Sequence, residues 1–274
     1  MQQFHTEVKR GERFEFGKNW MNFLKTLDTT GIESACKSIQ SLLAGYELSG
    51  KSFLDVGSGS GLSSLAARKM GTKNVVSFDY DPDSVNSTLM LKNRYLSQDE
   101  NWIIQKGSVL DSEYLKTLGR FDVVYSWGVL HHSGNMWEAL SNVSSLVNDH
   151  GILFIALYND QAYKSVFWKK VKKTYCSSRL GKLFVSSVFY PLFFLIALTS
   201  SLIHKKNIFK AYKKNRGMSI MHDWKDWLGG FPFEVAKIEE VFNFFKLKGF
   251  SLFNIKTTTS MGCNEYVFVR NDKG

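Results

Sequence analysis

Apolar and polar positions change their spacing repeatedly along the first 160 residues. Over residues 29–43 the apolar set Ile32, Cys36, Ile39 and Leu43 recurs at helical spacing. Ser52-Phe53-Leu54-Asp55-Val56 is a short apolar run that reads as a buried strand entering a glycine-rich loop. Leu62, Leu65, Ala66 and Met70 then share one face of a helix that Gly71 ends. Asn74-Val75-Val76-Ser77-Phe78 reads as a second strand, closing on Asp79. Asp81 is placed to cap the next helix, with Pro82 at its first position. A strand over 101–106, a short helix over 112–118, a buried strand over 121–125, a helix over 136–147 and a buried strand over 151–157 follow. This alternation predicts an α/β fold, doubly wound, with a mostly parallel sheet covered on both faces.

Past Asp160 the pattern breaks. A basic helical stretch containing Lys169-Lys170-Val171-Lys172-Lys173 leads to residues 183–203, which carry no charge. The length suits a membrane crossing. Pro191 interrupts the run, however, and each half flanking it is too short to span. A helix over 236–248 and strands over 250–256 and 264–270 come afterwards, and in this fold they complete the same sheet. A single crossing would strand them on the wrong side. The expectation is a buried or interfacial helical lobe, with peripheral contact at the inner membrane surface through 183–203 left open by the flanking lysines. The chain then divides into an N-terminal cap segment (1–28), a ligand-binding core (29–160), a helical insertion acting as substrate lid or membrane-surface lobe (161–235), and a helix with strands that complete the sheet (236–274).

A hydrophobic content of 44% with 22% charged residues describes a folded chain rather than a disordered one. The net charge of +10 suits nucleic acid, anionic lipid or a phosphorylated substrate, or belongs to a solvated helical face. Cys36, Cys176 and Cys263 are too far apart for a disulfide framework or a zinc site of paired cysteines. No cluster has metal-ligand spacing, so metal-independent chemistry is expected. The charged amino-terminal stretch shows no apolar leader, and a reducing cytoplasm fits best.

The loop Gly57-Ser58-Gly59-Ser60-Gly61 can admit a ligand close to its backbone. A dinucleotide fingerprint would need a third glycine where Leu62 stands, so the ligand should lack a pyrophosphate. Asp79, at the end of the second strand, is placed to accept hydrogen bonds from ribose hydroxyls. For Asp81, helix capping is the stronger reading.

Asp55-Val56-Gly57-Ser58-Gly59-Ser60-Gly61, Phe78-Asp79, Gly107-Ser108-Val109-Leu110-Asp111 and Phe121-Asp122-Val123-Val124-Tyr125-Ser126-Trp127-Gly128-Val129-Leu130-His131-His132 occur in that order. As an ordered set they resemble the class I S-adenosylmethionine-dependent methyltransferases, especially the small-molecule branch similar to ubiquinone-biosynthesis enzymes. The resemblance covers about residues 53–159 and the closing strands. It implies a seven-stranded Rossmann-like sheet with the helical insertion after strand five. The implied cofactor is S-adenosylmethionine, with S-adenosylhomocysteine as product. Asp55, Gly57, Ser58, Gly59, Gly61, Asp79 and Tyr80 are implied to bind it. Ser108 and Val109 would border the adenine, although many relatives carry aspartate where Ser108 stands. Ser126 and Trp127 would line the methionine end, with a core aromatic as the other reading of Trp127.

Methyl transfer from a sulfonium requires alignment, exclusion of water and, for a hydroxyl, removal of a proton. His131 and His132 follow the fourth strand, where one can act as base or both can hold the loop. Residues 216–234 gather Arg216, His222, Asp223, Trp224, Asp226, Trp227 and Gly229-Gly230. They read as a substrate lid, with His222 as base held by Asp223 or Asp226 and Arg216 for an anion, or as a Trp-anchored connection. Tyr158, Asn159, Arg216 and Trp227 are the expected substrate contacts, with helix capping by Asn159 the alternative. Phe14-Glu15-Phe16-Gly17-Lys18-Asn19-Trp20 closes over the cofactor or simply packs. The leading function is methyl transfer to an O or N nucleophile of a small-molecule, lipid- or glycan-linked acceptor. A tRNA- or rRNA-modifying enzyme is the first alternative, although no RNA-binding module is recognisable and the insertion is apolar. A SAM-binding regulator or scaffold without turnover is the second. The sequence specifies no oligomeric state.

Overall fold

Short apolar runs bounded by turn residues become the strands β1 (Ser52–Val56), β2 (Asn74–Asp79), β3 (Trp102–Lys106), β4 (Phe121–Trp127), β5 (Val147–Tyr158), β6 (Phe250–Lys256) and β7 (Cys263–Arg270). In the computed structural model, which describes residues 2–205 and 220–272, they form one sheet in the order β3-β2-β1-β4-β5-β7-β6. Strand β1 pairs in parallel with both β2 and β4, while β7 is inserted antiparallel between β5 and β6. The crevice at the carboxyl end of β1, where the winding reverses, is the ligand position of such sheets.

Eleven α-helices are described: α1 (Gln2–Lys9), α2 (Gly17–Leu24), α3 (Thr29–Leu43), α4 (Leu62–Lys69), α5 (Pro82–Tyr95), α6 (Ser112–Leu118), α7 (Met136–Ser145), α8 (Tyr163–Ser177), α9 (Arg179–Ile203), α10 (Ile220–Gly229) and α11 (Ile238–Leu247). Strand alternation sends Phe53 to one face of the sheet and Leu54 and Val56 to the other. Helices α2 to α5 cover the first face through residues such as Leu24, Leu43, Leu65 and Leu91. Helices α6, α7 and α11 cover the second through Leu115, Leu140, Val241 and Phe245. Each such fully buried side chain contributes roughly 1.5–3 kcal/mol. The caps follow the sequence: the Asp28, Asp81 and Asp111 carboxylates accept backbone N–H bonds at the starts of α3, α5 and α6.

Two expectations are corrected. The helix expected over 136–147 stops at Ser145, and Val147 already belongs to β5. Phe121 pairs with Val147 and donates its N–H to the Leu146 carbonyl at 2.8 Å, which draws the chain into the sheet early. The polar Asn148-Asp149-His150-Gly151 stretch hides this in the sequence, where the register of β4 on β5 shifts.

The second correction concerns residues 183–203, expected as a buried or interfacial lobe: the buried alternative does not hold, because most of these residues are exposed. Helix α9 runs unbroken through Pro191, and only 11% of its most apolar window is buried. Val185 joins Phe14, Trp168, Tyr175, Leu228 and Phe233 in a third core that ties the insertion to the amino-terminal segment. The helix is apolar around its whole circumference, whereas α8 and α10 cover only part of it.

A candidate cofactor and acceptor cleft

The chain leaves β1 through Gly57, Gly59 and Gly61 at φ of 76°, 55° and 79°, the left-handed region that glycine enters without strain. Packing demands glycine as well. A Cβ on Gly57 would lie 2.3 Å from Val129 Cγ1, and one on Gly61 would lie 2.8 Å from Thr88 Cγ2. Beneath the loop, the Ser64 hydroxyl donates to the Asp55 carboxylate at 2.5 Å. Ser64 also meets Ser77 at 2.7 Å, and Trp102 Nε1 donates to Ser77 at 2.8 Å. Burial pushes the Asp55 carboxyl up to about 6. Asp55 therefore braces β1 against α4 and β2. Asp79 closes β2 and accepts the Gly59 and Asp81 N–H groups, each at 2.9 Å. Burial raises its pKa to about 7.

A cleft of 1510 Å³ opens at this edge, larger than the roughly 300–1,000 Å³ of ordinary ligand pockets. One end is lined by Asp55, Gly57 to Ser60, Asp79, Tyr80, Ser108, Val109 and Trp127. Gly61, packed on Thr88, is not in that wall. Nor is Ser126: it alternates with Trp127 across β4, is fully buried, and donates its hydroxyl to the Val56 carbonyl at 3.0 Å. Trp127 is 44% exposed, so the core reading does not hold for it, and its indole N–H reaches Glu265 at 3.2 Å.

The amino-terminal segment forms a roof. Phe14, Phe16 and Trp20 line the cleft, and the Trp20 ring lies against Gly59. Gly17 donates its N–H to Asp81 at 2.8 Å. Arg13 bonds the carbonyls of His132 and Ser133 at 2.9 and 3.1 Å, pairs with Glu7 at 2.8 Å, and stacks 5.0 Å from the Tyr80 ring centre. The Tyr80 hydroxyl donates to Glu7 at 2.9 Å. Burial pushes that phenol up to about 12.

His132, Tyr158, Asp226 and Trp227 line another part of the same cleft. The Pro232 carbonyl accepts from His132 Nδ1 at 2.6 Å, so the Nε2 lone pair is the free one. Burial pushes His132 down to about 3 and keeps it neutral. His131 is fully buried behind the wall, its Nδ1 accepting the Tyr158 N–H at 3.3 Å, and burial again lowers its pKa. Asn159 is turned away from the cleft: its amide donates to the Thr258 carbonyl at 3.0 Å and accepts from Asn264 at 3.2 Å, holding the approach to β7. Asp226 Oδ2 accepts the Asn19 amide at 2.7 Å. Its Oδ1 is buried and has no partner among the described residues. Burial raises this carboxyl to about 7. Arg216 and the His222 side chain lie outside the described residues; the His222 backbone belongs to α10.

The sequence reading missed Lys172, which is fully buried. Its Nζ donates to the Trp227 carbonyl and sits 4.0 Å from the Trp227 ring centre and 4.9 Å from that of Phe233. Burial pushes the ammonium down to about 7, which the cation–π contacts oppose. The signal was phase: 172 shares the buried stripe of α8 with Ser165, Trp168 and Tyr175, whereas the charge run suggested a solvated face. Arg13 carried no sequence signal, and Asn19 was legible only as part of the 14–20 segment, since the His132 and Ser133 carbonyls and the Asp226 carboxylate that they bond lie more than 100 residues away.

A methyltransferase-domain family model matches residues 29–185. A ribosomal protein L11 methyltransferase from Prochlorococcus marinus is 42% identical over 82 residues, 30% of this chain and 23% of that protein. Its namesake from Histophilus somni is 31% identical over 111 residues, 40% of this chain and 34% of that protein. The matches thus span about a quarter to a third of these relatives' lengths. The fold is shared with magnesium protoporphyrin IX methyltransferase from Synechocystis PCC 6803, solved with bound SAH, at a TM-score of 0.54 and 13% identity over 90% of this chain and 86% of that one. An O-methyltransferase family protein from Burkholderia thailandensis gives 0.54 and 10% identity over 87% of this chain and 57% of that one.

Proposed function

The chain belongs to the class I S-adenosylmethionine-dependent methyltransferases, and from that premise we propose that it methylates an oxygen or nitrogen of a small-molecule, lipid- or glycan-linked acceptor, with Asp226 taking the proton. One observation carries the reading. A single cleft is lined by the glycine loop, Asp79 and Asp226, whose buried Oδ1 has no partner among the described residues. The residues at the first end fit an adenosyl ligand. Each Asp79 oxygen accepts one backbone N–H and keeps a lone pair for a ribose hydroxyl. Trp127 and Trp20 offer apolar walls, and Ser108 and Val109 line the same space.

S-adenosylmethionine supplies, when bound, an activated methyl group on a sulfonium. What remains for the protein is alignment, water exclusion and proton removal. The roof of Phe14, Phe16 and Trp20 excludes water, and Tyr158 and Trp227 present aromatic faces of the kind that favour cationic character. Among the bases at the acceptor end, the choice follows from basicity. His132, at about 3, holds a proton poorly, whereas Asp226, at about 7, is matched to neutral pH. Asn19 fixes the carboxylate by its other oxygen, leaving Oδ1 buried and without a partner among the described residues.

The test is a metabolite and lipid extract incubated with protein and methyl-labelled cofactor, read by S-adenosylhomocysteine release and by mass spectrometry of the products. Asp226→Asn should lower kcat about 100-fold or more, the usual worth of a general base, and leave S-adenosylhomocysteine affinity intact. Wild-type rates in this variant would remove Asp226 from the mechanism. Methyl label on ribosomal protein, with isolated ribosomes in place of the extract, would replace the acceptor class.

A further inference from the structure

Helix α9 is uncharged from Leu183 to Ile203 and solvent-facing over most of its surface, with Leu183, Phe184, Leu195, Ile196 and Leu202 each more than half exposed. An exposed apolar patch of this extent marks a contact surface. We propose that α9 lies along the surface of an anionic phospholipid bilayer and docks the methyltransferase there with its acceptor end towards the lipid.

Charge selects the occupant. Between Gln161 and His222 the sequence contains no Asp or Glu, and Lys, Arg and apolar residues dominate it. Arg179, Lys182 and Lys205 are exposed near the two ends of α9, and Lys169, Lys170 and Lys173 are exposed on α8, which packs along it. An apolar stem bordered by ammonium and guanidinium groups complements acyl chains beneath phosphate headgroups. A second copy of the chain would instead bring the same cations together.

Topology decides how the helix meets the bilayer. Its 25 residues are long enough to cross. Yet β6 and β7, which follow it, pair with β5 in the same sheet as β1 to β4. A crossing would require the stretch after Ile203 to return through hydrocarbon, and that stretch carries Lys205, Lys206, Lys210, Lys213, Lys214 and Arg216. The helix therefore lies in the interface. Its inner side continues into the cleft: Phe189 packs on Trp168 at 5.3 Å, Trp168 on Trp227 at 5.2 Å, and Trp227 on Tyr158 at 5.6 Å between ring centres. Trp227 and Tyr158 are walls of the acceptor end.

Sedimentation of the full chain with vesicles tests the proposal. Wild type should pellet with vesicles containing phosphatidylglycerol at least ten-fold more strongly than with pure phosphatidylcholine. The double variant Leu195→Glu/Ile196→Glu should lose at least ten-fold in that binding while keeping its melting temperature and S-adenosylhomocysteine affinity. If that variant fails to fold, Lys169→Glu/Lys173→Glu should abolish the preference for anionic vesicles. A wild-type protein that stays in the supernatant with both vesicle types overturns the proposal. So does a dimer in analytical ultracentrifugation that the first variant dissolves. S-adenosylhomocysteine release measured without vesicles reads methyl transfer separately, so the two conclusions fail independently.

Discussion

Asp226 and Lys172 are moved in opposite directions by the same burial, one carboxyl up to about 7 and one ammonium down to about 7. Their effects on stability fall in different pH windows. Between about pH 4 and 7 the folded protein keeps the Asp226 proton that the unfolded chain has lost, so stability declines as pH rises through that range. Asp79 adds to the same decline. Between about pH 7 and 10.5 the unfolded chain holds the lysine proton that folded Lys172 has released, so stability rises again. Thermal melts of the ligand-free protein should therefore show Asp226→Asn flattening the acid-side decline and Lys172→Met flattening the alkaline rise. Lys172→Met should also be no less stable than wild type at neutral pH, because a buried charge gives way to a side chain of similar volume. Unchanged slopes would show that neither group titrates as burial dictates. Asp226 was legible in the sequence only as a partner for His222, because nothing in its neighbourhood reveals the bond to Asn19. Lys172 was lost among its lysine neighbours for a related reason: composition counts charges and ignores which face of a helix they occupy.

At the scale of elements, the loop from β1 to α4 is the part of the site that sequence determines most directly. Left-handed backbone and the close approach of Val129 both require glycine at 57; the first requirement is local, whereas the second comes from a residue far along the chain. Gly57→Ala should cost about 1–2 kcal/mol from the backbone conformation alone. The displaced Val129 adds to that cost, and calorimetry should show weakened S-adenosylhomocysteine binding. Asp79→Asn should weaken the same binding about ten-fold while the fold stays intact, since it replaces an acceptor with a donor at one oxygen. Native affinity in that variant would move the ribose elsewhere. All seven strands were foreseen, because buried parallel strands read as apolar runs between turn residues. The start of β5 was not, since Asn148-Asp149-His150-Gly151 looks like a loop, and the strand begins before it only because Val147 pairs with Phe121 of β4 ahead of a register shift. Helices α1 and α2 were anticipated only as a cap. The exposure of α9 was likewise hidden: hydropathy reports what a helix would bury, and only the neighbouring elements determine whether it does.

For the whole molecule, the amino-terminal segment and the insertion are remote in sequence and share one hydrophobic cluster through Phe14, Trp168 and Leu228. The roof of the cleft and the helix proposed to meet the bilayer are thus parts of one mechanical unit. The Arg13 guanidinium fastens that roof to the carbonyls of His132 and Ser133, and Trp20 rests on Gly59. A molecule seated on the glycine loop would be bordered by Phe14, Phe16 and Trp20, so movement of that roof would bear on its exchange. Residence time at the site would then depend on how often the roof lifts as well as on how strongly Asp79 holds its ligand. A slow spent-cofactor release step follows, which Arg13→Ala should accelerate in stopped-flow exchange with little change in the chemical step.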